Sequence, residues 1–108
     1  MKEIKTKQEL DEILGSSSKN ILLKVGAPWC NPCRILGRTL LDIEGGYTND
    51  YIFLETDGEL ADDQLIGSLS IFNLPTIVIF KNGEELYRRS GLLTREQLTN
   101  LLNELKDK

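Results

Sequence analysis

Apolar and polar positions change their period several times along the chain, and each change predicts an element. Thr6-Lys7-Gln8-Glu9 has the form of a capping box, with Leu10, Ile13 and Leu14 on one helical face and Gly15 as the stop, so a first helix is predicted over roughly 7–14. Ser16 to Asn20 reads as a turn. Ile21-Leu22-Leu23-Lys24-Val25 is almost continuously apolar, as in a central strand covered on both faces. A second helix carries Ile35, Leu36, Leu40, Leu41 and Ile43 and is predicted to end at Gly45-Gly46. Tyr51 to Thr56 follows as a strand, so strand, helix and strand imply a right-handed parallel crossover. A short polar-faced helix is predicted over Leu60 to Leu69.

Thr76 to Phe80 is strongly β-forming, and Asn82-Gly83 is a two-residue hairpin turn. Glu84 to Ser90 is then the antiparallel return, with Leu86 among charged residues as expected of an edge strand with one wet face. Thr94-Arg95-Glu96-Gln97 opens a last helix whose Leu98, Leu101, Leu102 and Leu105 form a stripe suited to a core, and Glu104 to Lys108 reads as a fraying end. With 108 residues and no linker or repeat, a single domain over 1–108 is predicted, of α/β class.

Charge narrows the partners. A net charge of −4 with no dense Lys/Arg cluster argues against nucleic acid. No apolar stretch approaches the roughly 20 residues a membrane helix needs, and Met1-Lys2-Glu3-Ile4 is not followed by an apolar signal core, so the expected setting is the cytoplasm, without a membrane partner.

The chemistry concentrates at Trp29-Cys30-Asn31-Pro32-Cys33, which holds both cysteines of the chain between the first long strand and the second helix. A cysteine at a helix mouth faces unpaired backbone N–H groups and the positive end of the helix dipole, and both favour thiolate. The chain has no histidine, so a Cys–His nucleophile is excluded; haem attachment through CxxCH fails at Arg34; a four-thiolate iron–sulfur cluster lacks half its ligands. Zinc would need two chains to share the metal. A structural staple stays open, but closing so short a loop stabilises by only about 2 kcal/mol. A redox dithiol is the reading favoured over both, with neither cofactor nor metal expected.

The order of elements, together with Trp29-Cys30-Asn31-Pro32-Cys33-Arg34, Asn73-Leu74-Pro75-Thr76 before an apolar strand, Phe80-Lys81-Asn82-Gly83-Glu84, and Gly91 before the last helix, resembles the thioredoxin family over nearly the whole chain. The resemblance implies a mixed sheet flanked by helices on both faces, a cis peptide before Pro75, electron exchange with protein disulfides, and re-reduction by a flavin-containing thioredoxin reductase, the protein acting as a monomer. Cys30, exposed at the helix start, would attack a substrate disulfide, and Cys33, one turn deeper, would resolve the mixed disulfide. Pro32 would set φ in the first helical turn. Arg34 adds a positive neighbour or is simply solvated. Trp29, Leu74, Pro75, Gly91 and Leu92 would line a shallow groove in which the main chain of residue 74 pairs with an extended substrate. Trp29 could equally be an ordinary core-edge aromatic.

Three positions and one segment depart from the family pattern. The acid usual six residues before the first cysteine is Lys24 here, and the lysine often facing it is replaced by Phe53. Asn31 stands where glycine is common, and the segment Glu59 to Phe72 is slightly longer than usual. An ammonium under the sulfurs has the opposite electrostatic sign to a carboxylate: Lys24 would stabilise a thiolate directly, and should deprotonate, snorkel outward or pair with an acid, Glu55 being the candidate, unless it points away from the cysteines altogether. An oxidase or isomerase using the same dithiol, and a binding module retaining the fold without turnover, are the competing functions.

Overall fold

The computed structural model describes residues 1–108. Five strands form one sheet in the order β1-β3-β2-β4-β5: β1 (Lys2–Glu3), β2 (Asn20–Gly26), β3 (Tyr51–Asp57), β4 (Thr76–Lys81) and β5 (Glu84–Ser90). β1 and β2 both run parallel to β3, whereas β4 is antiparallel to β2 and to β5, so the sheet is mixed. The helices are α1 (Lys7–Ser16), α2 (Asn31–Glu44), α3 (Asp63–Leu69) and α4 (Arg95–Leu105).

Period-two alternation sorts the side chains of β2 onto two cores. Leu22 packs with Phe53, Ile77 and Ile79 beneath Leu36 and Leu40 of α2 and Leu98 and Leu102 of α4. Ile21, Leu23 and Val25 pack with Leu54, Val78 and Phe80 on the opposite face, beneath Leu10 of α1 and Leu65 and Leu69 of α3. A strand with both faces covered has no polar side, which is why 21–25 reads as a nearly unbroken apolar run. Lys24 is the exception. It shares a face with Leu22 and therefore lies on the α2 side of the sheet.

Helix ends follow their caps. The Thr6 hydroxyl accepts from the Glu9 N–H at 3.1 Å while the Glu9 carboxylate accepts from the Thr6 N–H at 3.1 Å, and Thr94 with Gln97 repeats the arrangement on α4. Asn82 and Gly83 take φ of 54° and 81°, the paired left-handed conformation of a type I′ hairpin turn.

Several boundaries differ from those read off the sequence. Gly15 does not stop α1; the helix runs to Ser16, and the Ser17 N–H closes it by donating to the Ile13 carbonyl at 3.2 Å. Leu60 is not helical, because the Asp57 carboxylate accepts from the N–H groups of Glu59 and Leu60 and folds this stretch into a turn, so α3 begins only after its cap Asp62. Asn20 belongs to β2, and its side-chain amide donates to the Leu105 carbonyl at 3.5 Å, joining the strand to the end of α4. Helical hydrogen bonding also reaches Lys106 and Lys108, beyond the expected point of fraying. In β5 the register slips between Ile79 and Phe80, which turns Tyr87, not Leu86, toward the core. β1 is too short to show any period and went unforeseen.

Candidate active site

Cys30 is the N-cap of α2, with extended φ and ψ of −87° and 107°. Its sulfur therefore occupies the place where a serine or aspartate oxygen would accept from the first turn, and it accepts from the Cys33 N–H at 3.2 Å. Pro32 falls at the second helical position, where a missing N–H leaves no acceptor stranded. Cys30 and Cys33 are joined as a disulfide, with Cα atoms 5.2 Å apart.

Both cysteines are buried, Cys30 at 6% and Cys33 at 1% exposure. The expected exposure of Cys30 is thus corrected: Ala27 and Leu74 pack against the pair and leave only a sliver of the first sulfur open. The expected order of depth holds.

Around that opening the chain is apolar and exposed. Trp29 is 69% exposed, which removes the core-edge alternative, and its indole N–H donates to the Glu59 carboxylate. Leu74 precedes Pro75 through a cis peptide, as the family resemblance implies. The β4 ladder begins only at Thr76, and the N–H and C=O of Leu74 bond to no other group of the chain. The Gly91 N–H donates to the Pro75 carbonyl at 2.8 Å, and Gly91 holds φ of 96°, a conformation that disfavours other residues. Leu92, the next residue, is exposed. Thr76 braces the loop through the Asn73 carbonyl at 2.6 Å and the Ser90 hydroxyl at 2.9 Å. Of the five expected groove residues, Trp29 and Leu92 are exposed and Leu74 and Gly91 half-buried, whereas Pro75 is buried beneath the loop, so its expected place on the groove surface is corrected.

Asn31 and Arg34 are exposed on the first turn of α2, where the guanidinium donates to the Asn31 side-chain oxygen at 3.3 Å. Beneath that turn, a cleft of about 170 Å³ is lined by Lys24, Gly26, Cys33 and Arg34 together with Glu3, Glu55 and Asp57. Lys24 does not point away from the cysteines. A Cβ placed on Gly26 would meet Cys33 Sγ at 3.2 Å and Lys24 Cε at 3.3 Å, and one placed on Gly37 would meet Lys24 Nζ at 2.8 Å. The lysine therefore runs under α2 from Cys33 toward Gly37. Glu55 is its register neighbour on β3, yet the two form no ion pair within 4.0 Å, so the expected Lys24–Glu55 pairing is corrected. Both side chains share the cleft, which leaves each a route to solvent.

Sequence reasoning missed Glu59, Gly37 and Glu3. Only Gly37, a helix-breaking residue inside a strongly amphipathic helix, left a mark that could have been followed.

Comparison with known proteins agrees with this architecture. The thioredoxin family model matches residues 2–104. A thioredoxin of Mycoplasmoides gallisepticum is 31% identical over 102 residues, covering 94% of this chain and 99% of that protein. Thioredoxin domain-containing protein 2 of Rattus norvegicus is 36% identical over 104 residues, covering 95% of this chain but 18% of the larger protein. Among solved structures, a Plasmodium falciparum thioredoxin superimposes with a TM-score of 0.87 at 21% identity, covering 97% of this chain and 99% of that one. Mitochondrial thioredoxin 3 of Saccharomyces cerevisiae, in its oxidized form, does so at 0.85 and 18%, covering 97% and 95%.

Proposed function

The chain belongs to the thioredoxin family and is a protein thiol–disulfide oxidoreductase, and from that premise we propose that Cys30 is its nucleophile and Cys33 its resolving thiol. In the reduced protein the Cys30 thiolate attacks one sulfur of a substrate disulfide. A new Cys30–substrate bond forms, the substrate disulfide breaks, and the other substrate sulfur leaves as a thiolate that takes a proton from solvent. Cys33 then loses its proton and attacks Cys30 Sγ. The intramolecular disulfide forms, the mixed disulfide breaks, and the substrate departs carrying both electrons.

The observation that carries this assignment is the Cys33 N–H donated to Cys30 Sγ at the N-cap of α2. That donor and the helix dipole both favour negative charge on Cys30, and no comparable donor serves Cys33. Docking is assigned to the rim. Trp29 and Leu92 supply apolar contact, while the unpaired main chain of Leu74, held by the buried Pro75, can add a substrate segment in extended form, with Gly91 leaving room beside it. A recognition surface of this kind favours protein disulfides over small ones.

We assign re-reduction to a thioredoxin reductase and the work of the protein, as a monomer, to the cytoplasm, a compartment kept reducing. No helix is long and apolar enough to cross a membrane. Insulin reduction driven by NADPH and thioredoxin reductase tests the assignment. Turnover in that assay supports it; a protein that binds substrate without turnover would be a binding module instead. One observation favours the oxidising direction, the placement of Lys24 in the cleft beneath Cys33, since a cation there would favour a thiolate of the reduced pair.

A further inference from the structure

Resting on the resolving role given to Cys33, we propose that Lys24 is the counter-ion of the Cys33 thiolate, and that it sets both the resolution step and the redox poise of the couple.

Cys33 is 1% exposed, so a thiolate formed there loses most of its hydration. Burial alone disfavours the charged form and would slow resolution. Something in its surroundings has to compensate. The cleft beneath α2 brings together the groups available from every element packed around it: Glu3 of β1, Lys24 of β2, Glu55 and Asp57 of β3, and Arg34 of α2. The three carboxylates oppose a thiolate and the two cations favour it.

Position decides between them. Lys24 Cε and Cys33 Sγ both lie within 3.3 Å of one point, the place a Gly26 Cβ would occupy, and the ammonium Nζ, one bond beyond Cε, rests in the notch at Gly37, so the two charges would meet across a short gap in the cleft and not through a direct hydrogen bond. Gly26 leaves this space open, and Gly37 leaves open the notch that receives Nζ. Lys24 takes part in none of the ion pairs of the chain, so its charge is not spent on a carboxylate. Glu3 and Arg34 are exposed, where solvent screens them; Glu55 and Asp57 are half-buried like Lys24, but only Lys24 has atoms beside both Gly26 and Gly37, the two positions that flank Cys33 under α2.

The consequence for the chemistry has a definite sign. At resolution the Cys33 thiol gives its proton to water in the cleft, and Lys24 stabilises the thiolate left behind. Each tenfold gain in thiolate is partly offset by lower nucleophilicity, which leaves about a threefold gain in rate near neutral pH. The disulfide carries no charge for Lys24 to stabilise, so at any pH where the reduced pair carries a thiolate the interaction favours the dithiol and moves the couple toward the oxidising end of its range. A carboxylate at this position would act in the opposite sense.

The test uses the full chain with Lys24→Met and Lys24→Gln, one apolar and one polar neutral replacement, and two measurements. Thiolate absorbance is titrated in the reduced protein, and the dithiol–disulfide equilibrium is read against a glutathione redox buffer at a pH where that titration shows the reduced pair to carry thiolate. Both variants are expected to shift the equilibrium toward the disulfide by about tenfold, equivalent to about 30 mV, and to form thiolate at higher pH than wild type. If one variant does not fold, the other carries both readouts. Coincident equilibria and titrations, or shifts toward the reduced form, would overturn the proposal. Neither readout depends on a protein substrate. An inactive wild type in the insulin assay would therefore remove the proposed function without deciding this inference.

Discussion

The backbone N–H of Cys33 points at the sulfur of Cys30 from 3.2 Å, so in the proposed mechanism one cysteine favours negative charge on the other through its main chain. The first turn of α2 thus treats the two sulfurs differently, one accepting a main-chain N–H and the other not.

Cys30→Ser is expected to reduce disulfide exchange to background, while Cys33→Ser attacks once and accumulates a mixed disulfide with the substrate. Non-reducing electrophoresis after mixing each variant with oxidised insulin separates the cases. Adducts formed through Cys33 in Cys30→Ser, with none in the reverse variant, would reverse the assignment.

Trp29→Ala is expected to lower kcat/KM for a protein disulfide about tenfold, a loss of about 1.4 kcal/mol of docking, and to change the rate with a small aromatic disulfide much less. Glu59→Gln, which keeps a weaker acceptor for the indole N–H, should give a smaller loss in the same direction. Equal losses with both substrates would show that Trp29 acts on the sulfurs and not on docking.

The Tyr51 hydroxyl donates to the Leu102 carbonyl at 2.8 Å, and burial pushes its pKa up to about 12. Between the ordinary tyrosine value near 10 and that folded value, the unfolded chain gives up the proton while the folded chain keeps it. This contribution to stability is therefore complete below about pH 10 and declines as pH rises toward 12, by about 1.4 kcal/mol per pH unit. Urea unfolding across that range should show the decline in wild type and lose Tyr51's share of it in Tyr51→Phe. That variant should also be about 1 kcal/mol less stable at neutral pH for want of the hydrogen bond. Parallel alkaline limbs would refute the assignment.

The three atoms nearest a Cβ on Gly37 all belong to Lys24. In a Lys24→Ala background, Gly37→Ala should stabilise α2 by about 1 kcal/mol, the usual difference between glycine and alanine inside a helix. In the wild-type background the new methyl has to displace the ammonium, so the gain should be smaller or reversed. A double-mutant cycle from denaturant midpoints measures the difference, and equal gains in both backgrounds would mean that Lys24 does not fill the notch.

Sequence pattern shows these elements where one local rule acts alone. Both capping boxes, the Asn82-Gly83 turn, the doubly covered β2 strand and the Cys30-to-Cys33 helix mouth each depend on residues a few positions apart. Features that depend on distant parts of the chain escape it. Leu74 darkens the sulfurs from a loop more than forty residues away, so the burial of Cys30 could not be read from its neighbours. Register correctly brought Lys24 beside Glu55, but side-chain direction then carried the ammonium toward Gly37. The bulge that turned Tyr87 inward in place of Leu86 likewise comes from pairing with β4 and has no signature within β5 itself.

Both outer strands of the sheet are poor templates. β1 offers only two residues, and β5 is interrupted by its bulge and carries Glu84, Glu85, Arg88 and Arg89. A neighbouring molecule seeking to extend the sheet would find no long, flat, uncharged row of N–H and C=O groups on either side. The unpaired main chain at Leu74 is thereby left as the place where an added strand finds free N–H and C=O groups, while the sheet edges discourage edge-to-edge pairing.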